Sequence, residues 1–354
     1  MDELSFLHAV STYGRSGGSS RVRMFQWLEE TGVPSVIHDY IGLQDVRPRT
    51  ILRHPARTLA SEARQFRVAR LGVHRLLLQR DASPFSRGAL EERLLGSARI
   101  GIYDFDDALQ WDPRAGLVGA LRNYQQKTIR CIRAADRVIA GNEILADFAS
   151  SFSKHIVVIP SCVSPARYAV KETFEVHDPP IVGWIGTTGG EAYLAGITAA
   201  LLELNRRTGA RLQVVSGRGL PLGKLEGIVD RHIWTESLSE EILATWDVGI
   251  MPLPDSPYER GKCGYKLLQY AASGLPAVAS PVGINETICR DFKFLSATSI
   301  DEWIDALTLI LEASSELREK ISKVAQAEVN RSYSYEAWKN RWLNAVGETL
   351  STSY

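Results

Sequence analysis

Two places in the segment Trp246–Ile288 run a Gly-containing loop into the start of a helix: Gly261–Gly264 and Pro281–Ile284. A helix start presents unpaired backbone N–H groups and the positive end of the helix dipole, a combination suited to an anion and above all to a phosphate. Lys262 lies in the first loop and Lys266 just after it, with Arg260 just before it, and Arg218 sits in SGRG after the apolar run RLQVVS. Any of these cations could strengthen such a site by charge-assisted hydrogen bonds. Lys266 is the best placed, because it falls in the first turn of its helix. There it opposes the dipole, a cost that a bound diphosphate would offset. A second group of candidates is acidic: Asp104, Asp106 and Asp107 in DFDDA follow an apolar run. Acids just past a strand end lie where open α/β sheets keep their ligands. Asp104 and Asp106 also match D-x-D, in which carboxylates hold a divalent cation against a diphosphate. Capping of the next helix is the plain structural alternative for these aspartates.

The elements that must position these residues are legible from periodicity. VGIMPL within Asp247–Leu253 has the length of a buried strand, and Pro254, Asp255 and Pro257 stop it. A helix from Gly264 would face Leu267, Leu268 and Ala271 inward and end at Gly274; Ala277–Ala279 is the next strand. Near the start, a strand Leu4–Val10, the loop STYGRSGGSS with Gly17 and Gly18, and a helix RVRMFQWLEETG form a strand–turn–helix unit. Further strands are expected at Ser35–Asp39, Arg75–Leu78, Arg99–Tyr103 and Ile181–Ile185, the last leading into the loop Gly186–Gly190 with Thr187. Asn142 and Glu143 occupy a strand-to-helix turn, where Asn142 can cap the helix or face a ligand. Trp234, in HIWT, reads as core or as a base contact. Tyr335, Trp338, Trp342 and Val346 form a stripe at helical spacing that reads as packing. KETFEVHDPP, Lys171–Pro180, is polar and Pro-containing and marks a boundary.

The stretch GIMPLPDSPYERGKCGYKLLQYAASGLPAVASPVG, Gly249–Gly283, resembles the donor-binding core of glycosyltransferase family 4 and its group 1 relatives. ADRVIAGNEILADF and VIPSCVSPARY resemble the end of that family's N-terminal domain. The resemblance implies an α/β protein of two Rossmann-like domains facing across a cleft, the GT-B type. Domains of residues 1–175 and 181–334 are expected, with a C-terminal helix, 335–354, crossing back to the first. It further implies a retaining, metal-independent transferase that uses a nucleotide-diphosphate sugar as donor and no other cofactor. In that frame Gly17 and Gly18 lie over the donor, and Gly186, Thr187, Arg218, Lys262, Gly264, Lys266 and Gly283 surround its diphosphate. Glu259, with the backbone N–H groups of Lys262–Tyr265, holds sugar hydroxyls; Gln269 takes the ribose; Asp106 or Asp107 orients the acceptor. The family's two signature glutamates align with Gly261 and Gln269, so both are replaced. The loop Gly186–Gly190 also lacks the Arg and Lys that many relatives carry there.

Composition sets the class. With 354 residues, 45% hydrophobic and 23% charged, the chain suits two ordinary globular domains, and its zero net charge gives no sign of nucleic-acid binding. Its four cysteines have no metal-type spacing, which predicts reduced thiols in a cytosolic protein. The start MDELSFLHAV lacks the pattern of a signal peptide, and no apolar run approaches a membrane span. One region departs from neutrality: Arg47–Arg99 carries twelve arginines against Glu62, Asp81, Glu91 and Glu92. In the expected helix Pro55–Leu71, Arg57, Arg64 and Arg67 share one face, while Leu59, Ala63 and Phe66 share another that could dock on the domain. The arginines form either a solvated face or a patch for an anionic acceptor or lipid surface, which would make the enzyme peripheral to a membrane. Two rivals to a transferase remain. Replacement of both glutamates motivates a catalytically inactive nucleotide-sugar-binding or partner protein. A sugar-nucleotide epimerase of the same fold is disfavoured, since the second domain offers only His232.

Overall fold

A computed structural model describes residues 6–15, 17–40, 48–111, 123–219 and 221–348, the side chains of 48–50 excepted. The expected positions Leu4, Ser16, Arg47, the Arg49 side chain and the tail after Glu348 lie outside the described residues. The chain divides into two compact units. The first comprises Met1–Ser161, Gly261–Cys263 and Trp338–Tyr354; the second comprises Cys162–Arg260 and Gly264–Ala337.

The first unit is built on six parallel strands: β1 (Leu7–Ser11), β2 (Ser35–Asp39), β3 (Arg75–Gln79), β4 (Ile100–Phe105), β5 (Arg137–Ala140) and β6 (Ile156–Val158). Their order is β2-β1-β3-β4-β5-β6. Strands β1 and β3 are buried throughout, as near-continuous apolar runs require when helices cover both sheet faces. β4 runs on through Phe105, beyond the expected end at Tyr103, so Asp104 lies inside the strand. The expected helix after the first loop is continuous but not uniform. Gly18–Ser20 leads into a π-type segment, Arg21–Phe25, then α-helix Gln26–Thr31, and Gly32 in the left-handed region ends it. The helix Tyr335–Ala345 brings the aromatic stripe into packing, as expected. Trp342, fully buried, stacks on Trp27 with ring centroids 5.1 Å apart and planes within 2°.

The second unit repeats the plan with β7 (Ile181–Ile185), β8 (Arg211–Ser216), β9 (Val229–Ile233), β10 (Val248–Met251), β11 (Ala277–Ala279) and β12 (Leu295–Ser296). The order β12-β11-β10-β7-β8-β9 is the doubly wound arrangement of dinucleotide-binding folds. Trp184, Leu201, Leu212, Trp303 and Leu307 fill one side of this sheet, and Trp246, Leu268, Tyr270, Ile288 and Phe292 the other. In such sheets ligands bind beyond the strand C-termini where the order reverses. That point falls between β1 and β3 in the first unit and between β7 and β10 in the second.

The helix Pro55–Leu71 has the expected bounds, with Pro at its first turn and left-handed Gly72 at its end. Its orientation is the reverse of expectation. Leu59, Ala63 and Phe66 are exposed, and the buried residues are Thr58, Ser61, Gln65, Val68 and Ala69.

Candidate active site

In the second unit, the loop after β7 starts at Gly186, and the helix Tyr265–Ala272 follows the β10 loop. Lys266 lies in the first turn of that helix, its Nζ 5.2 Å from the centroid of the Trp184 ring. A Cβ at Gly186 would stand 2.9 Å from Lys266 Cε and 2.6 Å from the Trp184 ring. The lysine is therefore laid against the first loop of the unit, at the switch point. The loop's own lack of a cation is met by a lysine about eighty residues later in the chain.

Two helix starts meet beside it. Gly264 caps Tyr265–Ala272 at φ 65°, and Gly283 caps Ile284–Phe292 at φ 59°, conformations that favour glycine. A Cβ at Gly264 would be 2.5 Å from Ile288 Cδ1 and 3.2 Å from Asn285 Oδ1, both on the second helix. At Gly283 it would meet the carbonyl oxygen of Arg260 at 2.3 Å. The N-terminal ends of two helices thus adjoin, and the positive ends of their dipoles add at one place. Asn285 is fully buried, donates to Ser280 O at 3.2 Å, and leaves Oδ1 without a protein partner.

The remaining residues expected around the donor fall as follows. Gln269 is buried and donates from Nε2 to Tyr168 Oη at 3.2 Å; Tyr168 Oη also stands 3.5 Å from Tyr265 Oη. Glu259 is buried, accepting from Tyr193 Oη at 2.7 Å and from Ser256 Oγ. Its two oxygens keep further lone pairs for a sugar hydroxyl, since a carboxylate accepts about four hydrogen bonds. Thr187 is exposed at the head of the turn Thr188–Ile197. Arg218 is exposed, and Arg260 is held by Asp255 at 2.6 and 2.9 Å. Trp234 is half-buried against the core. Tyr168 and Tyr193 were not singled out by sequence; nothing local distinguishes them, since their roles come from Gln269 and Glu259.

The first unit's switch point is acidic. Arg80, the residue after β3, adopts φ 64° and donates to Ser19 Oγ at 3.2 Å and to Asp107 Oδ2 at 3.1 Å. Ser19 follows Gly18, so the glycine loop reaches the acids through this serine and arginine. A Cβ at Gly17 would stand 2.7 Å from Tyr13 Cβ, whereas Gly18 has open space around it. Asp106 keeps a buried Oδ1 with no protein partner. Desolvation, then the neighbouring Asp107 carboxylate, pushes its carboxyl up to about 6, against the charges of Arg80 and Arg23. An acid tuned there can exchange a proton near neutral pH. Lys262 stands 3.7 Å from Asp107, and Cys263 Sγ donates to Asp106 O at 3.2 Å. The Cys263 thiol is pushed up to about 12, by burial and then by Asp106. Asn142 both caps, accepting from Leu145 N at 3.0 Å, and donates to Gly261 O at 2.9 Å.

Asp104 is occupied elsewhere. Its carboxylate takes a two-pronged ion pair from Arg23, at 3.0 and 2.7 Å, with both side chains buried. Arg23 also donates to Ile159 O at 2.8 Å. Burial works against both charges; Asp104 overcomes it for the guanidinium, which stays protonated. Asp104 is thus held by Arg23 in the core, while Asp106, the other aspartate of the D-x-D match, is not part of that ion pair. Arg23 sits mid-way along the π-type segment, and such wide turns often mark functional sites.

Gly261, where the family places a glutamate, has no room for one. A Cβ there would lie 2.4 Å from Ala108 Cβ. The replacement is built into the packing of the Asp107–Ala108 turn.

Two parallel doubly wound six-stranded sheets in succession are the architecture of the GT-B fold. Residues 179–313 match the family model "Glycosyl transferases group 1", so this part of the chain, which apart from Gly261–Cys263 lies within the second unit, is a domain of that kind. Solved structures of similar fold include WaaG, a glycosyltransferase involved in lipopolysaccharide biosynthesis. WaaG is 13% identical, with 97% of this chain and 100% of that one covered, at a TM-score of 0.66. They also include the Anabaena protein HepE in complex with UDP and glucose, 14% identical, with 98% and 100% covered, at a TM-score of 0.67. The similarity to TarM, 15% identical at a TM-score of 0.59, covers 77% of this chain and 54% of TarM, so the chain spans about half of that protein. No curated protein sequence matches the chain. Among the described residues no helix is long and apolar enough to cross a membrane.

Proposed function

We propose that the protein transfers a sugar, with retention of anomeric configuration, from a nucleotide-diphosphate sugar to an anionic or membrane-associated acceptor. The observation that carries the reading is the meeting of Lys266, the Gly186 loop and two adjoining helix N-termini at the second unit's switch point. A departing diphosphate needs positive charge placed in advance, and this arrangement supplies it without reorganisation. Gln269, set by Tyr168, takes the ribose; Glu259 takes a sugar hydroxyl; Asp106 orients the acceptor and takes up its proton. Donor binding needs no metal: Lys266 and the helix ends neutralise the diphosphate, and Asp104 is engaged by Arg23. Because HepE was solved with UDP and glucose, uridine diphosphate sugars are the first donors to test.

The test is a donor panel read by thermal shift and by turnover, with magnesium and with excess chelator. A nucleotide-diphosphate sugar should raise the melting temperature, since any ligand of the folded state does so by mass action. Turnover should be the same in both buffers, and a collapse in chelator restored by manganese would overturn the metal-free reading. Stabilisation by a donor without hydrolysis or transfer, over a broad acceptor set, would favour the inactive sugar-nucleotide-binding protein. The closed position at Gly261 is the feature that gives this second reading weight.

A further inference from the structure

The helix Pro55–Leu71 is inside out. Its buried stripe is mostly polar: Gln65 Nε2 donates to His38 O at 3.1 Å, Ser61 Oγ donates to Tyr40 O, and Thr58 Oγ1 donates to His54 O at 3.0 Å. The first two bonds fasten the helix to β2 and the residue just beyond it, and the third lies within the helix's own first turn. Its large apolar side chains point away: Leu59 is 71% exposed, Phe66 46% and Leu71 52%, while Leu52 on the preceding turn is 77% exposed. Each such side chain left in water forgoes roughly 1.5–3 kcal/mol of burial. A monomer gains nothing from that arrangement, and scattered single apolar residues would not share one helix.

Charge says what covers the face. Arg53, Arg57, Arg64, Arg67 and Arg70 are all exposed on these same two helical turns and the helix. Among the described residues, only Arg64 of these has a carboxylate within reach, Asp39 at 4.0 Å. The helix carries one acid, Glu62, and it is turned inward to accept from Tyr40 Oη at 2.6 Å and from Ser83 Oγ. The outward surface is therefore apolar and cationic with no carboxylate of its own helix. At about 1.5 Å per residue its 17 residues extend about 25 Å. Helices of this make-up lie in the plane of an interface, apolar side chains below the headgroups and arginine stems reaching up to phosphates.

We infer that Leu52, Leu59 and Phe66, with the arginines around them, form a docking surface for an anionic lipid bilayer. The occupant is a bilayer rather than a protein because both halves of the surface are met by it at once, without a shaped pocket. The surface is distinct from the donor site, and its test uses neither donor nor turnover, so it stands or falls separately from the transferase reading.

The experiment is sedimentation of the full chain with vesicles of equimolar phosphatidylcholine and phosphatidylglycerol, against vesicles of phosphatidylcholine alone. The protein should pellet with the first and stay in solution with the second. Added salt should weaken the binding, since exposed charges are screened over about 10 Å at 0.1 M. Arg57→Glu, Arg64→Glu and Arg67→Glu together should reduce vesicle affinity by about a hundredfold, given about 1 kcal/mol per basic residue at an anionic surface. Leu59→Ser with Phe66→Ser should release the protein even at low salt. Both variants should melt where the parent does, because the replaced side chains touch water. Absence of binding to the anionic vesicles, or variants that pellet like the parent, would overturn the inference. So would a parent dimer by light scattering that Phe66→Ser converts to monomer, since a second copy would then cover the face.

Discussion

The two switch points belong to sheets of the same construction and carry opposite electrostatics. In the second unit, Lys266 and two helix starts gather at Gly186 and Gly264. In the first, Asp106 and Asp107 gather beside Arg80 and Ser19. One is prepared for an anion by a lysine and two helix dipoles. The other holds a carboxyl poised near neutrality, with a buried oxygen that no protein group satisfies. A doubly wound sheet thus settles where a ligand binds but not what kind. The choice between phosphate and proton rests on the few side chains that end the central strands.

If the acidic point handles the acceptor, Asp106→Asn should lower turnover by roughly two to four orders of magnitude, as loss of a proton-transfer group does. Donor binding by thermal shift should not change. In the parent, turnover should fall as pH drops below about 6, because Asp106 then becomes protonated. The same shift has a stability consequence of known sign. The carboxyl is raised from 3.8 to about 6, so the fold disfavours the ionised form. The cost is absent below the ordinary value, grows as pH rises through about 6, and is fully present above it. Asp106→Asn should therefore unfold at higher urea than the parent at neutral pH, with the gain vanishing in acid. A variant with parental turnover and a parental pH profile would remove Asp106 from the chemistry.

The ion pair beneath that point should matter for the fold. Arg23→Met leaves Asp104 buried and unpaired, and such losses cost roughly 3–5 kcal/mol. Urea unfolding should show it, and Arg23→Met with Asp104→Leu should recover most of it. A single variant as stable as the parent would mean that water or a neighbour compensates.

At the anionic point the effect is smaller and specific to the ligand. Lys266→Ala should weaken nucleoside diphosphates by about ten- to a hundredfold, the worth of one charge-assisted hydrogen bond of roughly 1.5–3 kcal/mol. Nucleosides should bind as before. Equal losses for both would make Lys266 a structural residue that packs on Trp184.

Smallest is the expected effect at Gln269. Gln269→Glu should be tolerated and hold the ribose at least as well, and Gln269→Leu should lose about tenfold or less, a neutral hydrogen bond of roughly 0.5–1.5 kcal/mol. Donor affinities unmoved by both changes would show that the helix Tyr265–Ala272 does not present this side chain to the nucleotide. Gly261→Glu, by contrast, should not gain activity, because the new side chain must first displace Ala108.

Sequence by itself determined the elements whose signals are local. Ser35–Asp39, Pro55–Leu71 and Ile181–Ile185 have the expected bounds. Apolar runs, a proline at a helix start and glycines able to turn left-handed act over a few residues. The long match over Gly249–Gly283 carried the fold class, because its loop and helix spacing repeats a whole βαβ passage. The tertiary structure alone decided which charges meet. Arg23 and Asp104 are 81 residues apart, and Lys266 reaches Gly186 only because β10 lies beside β7. It also decided which face of Pro55–Leu71 is inside. Periodicity reports that apolar and polar stripes exist, and hydrophobicity alone would bury Leu59 and Phe66. The backbone carbonyls at His38 and Tyr40 present acceptors to that helix, and leaving them buried and unpaired would cost an amount comparable to what the exposed apolar side chains forgo. No window of sequence contains that balance, because the two sides of it lie on different elements.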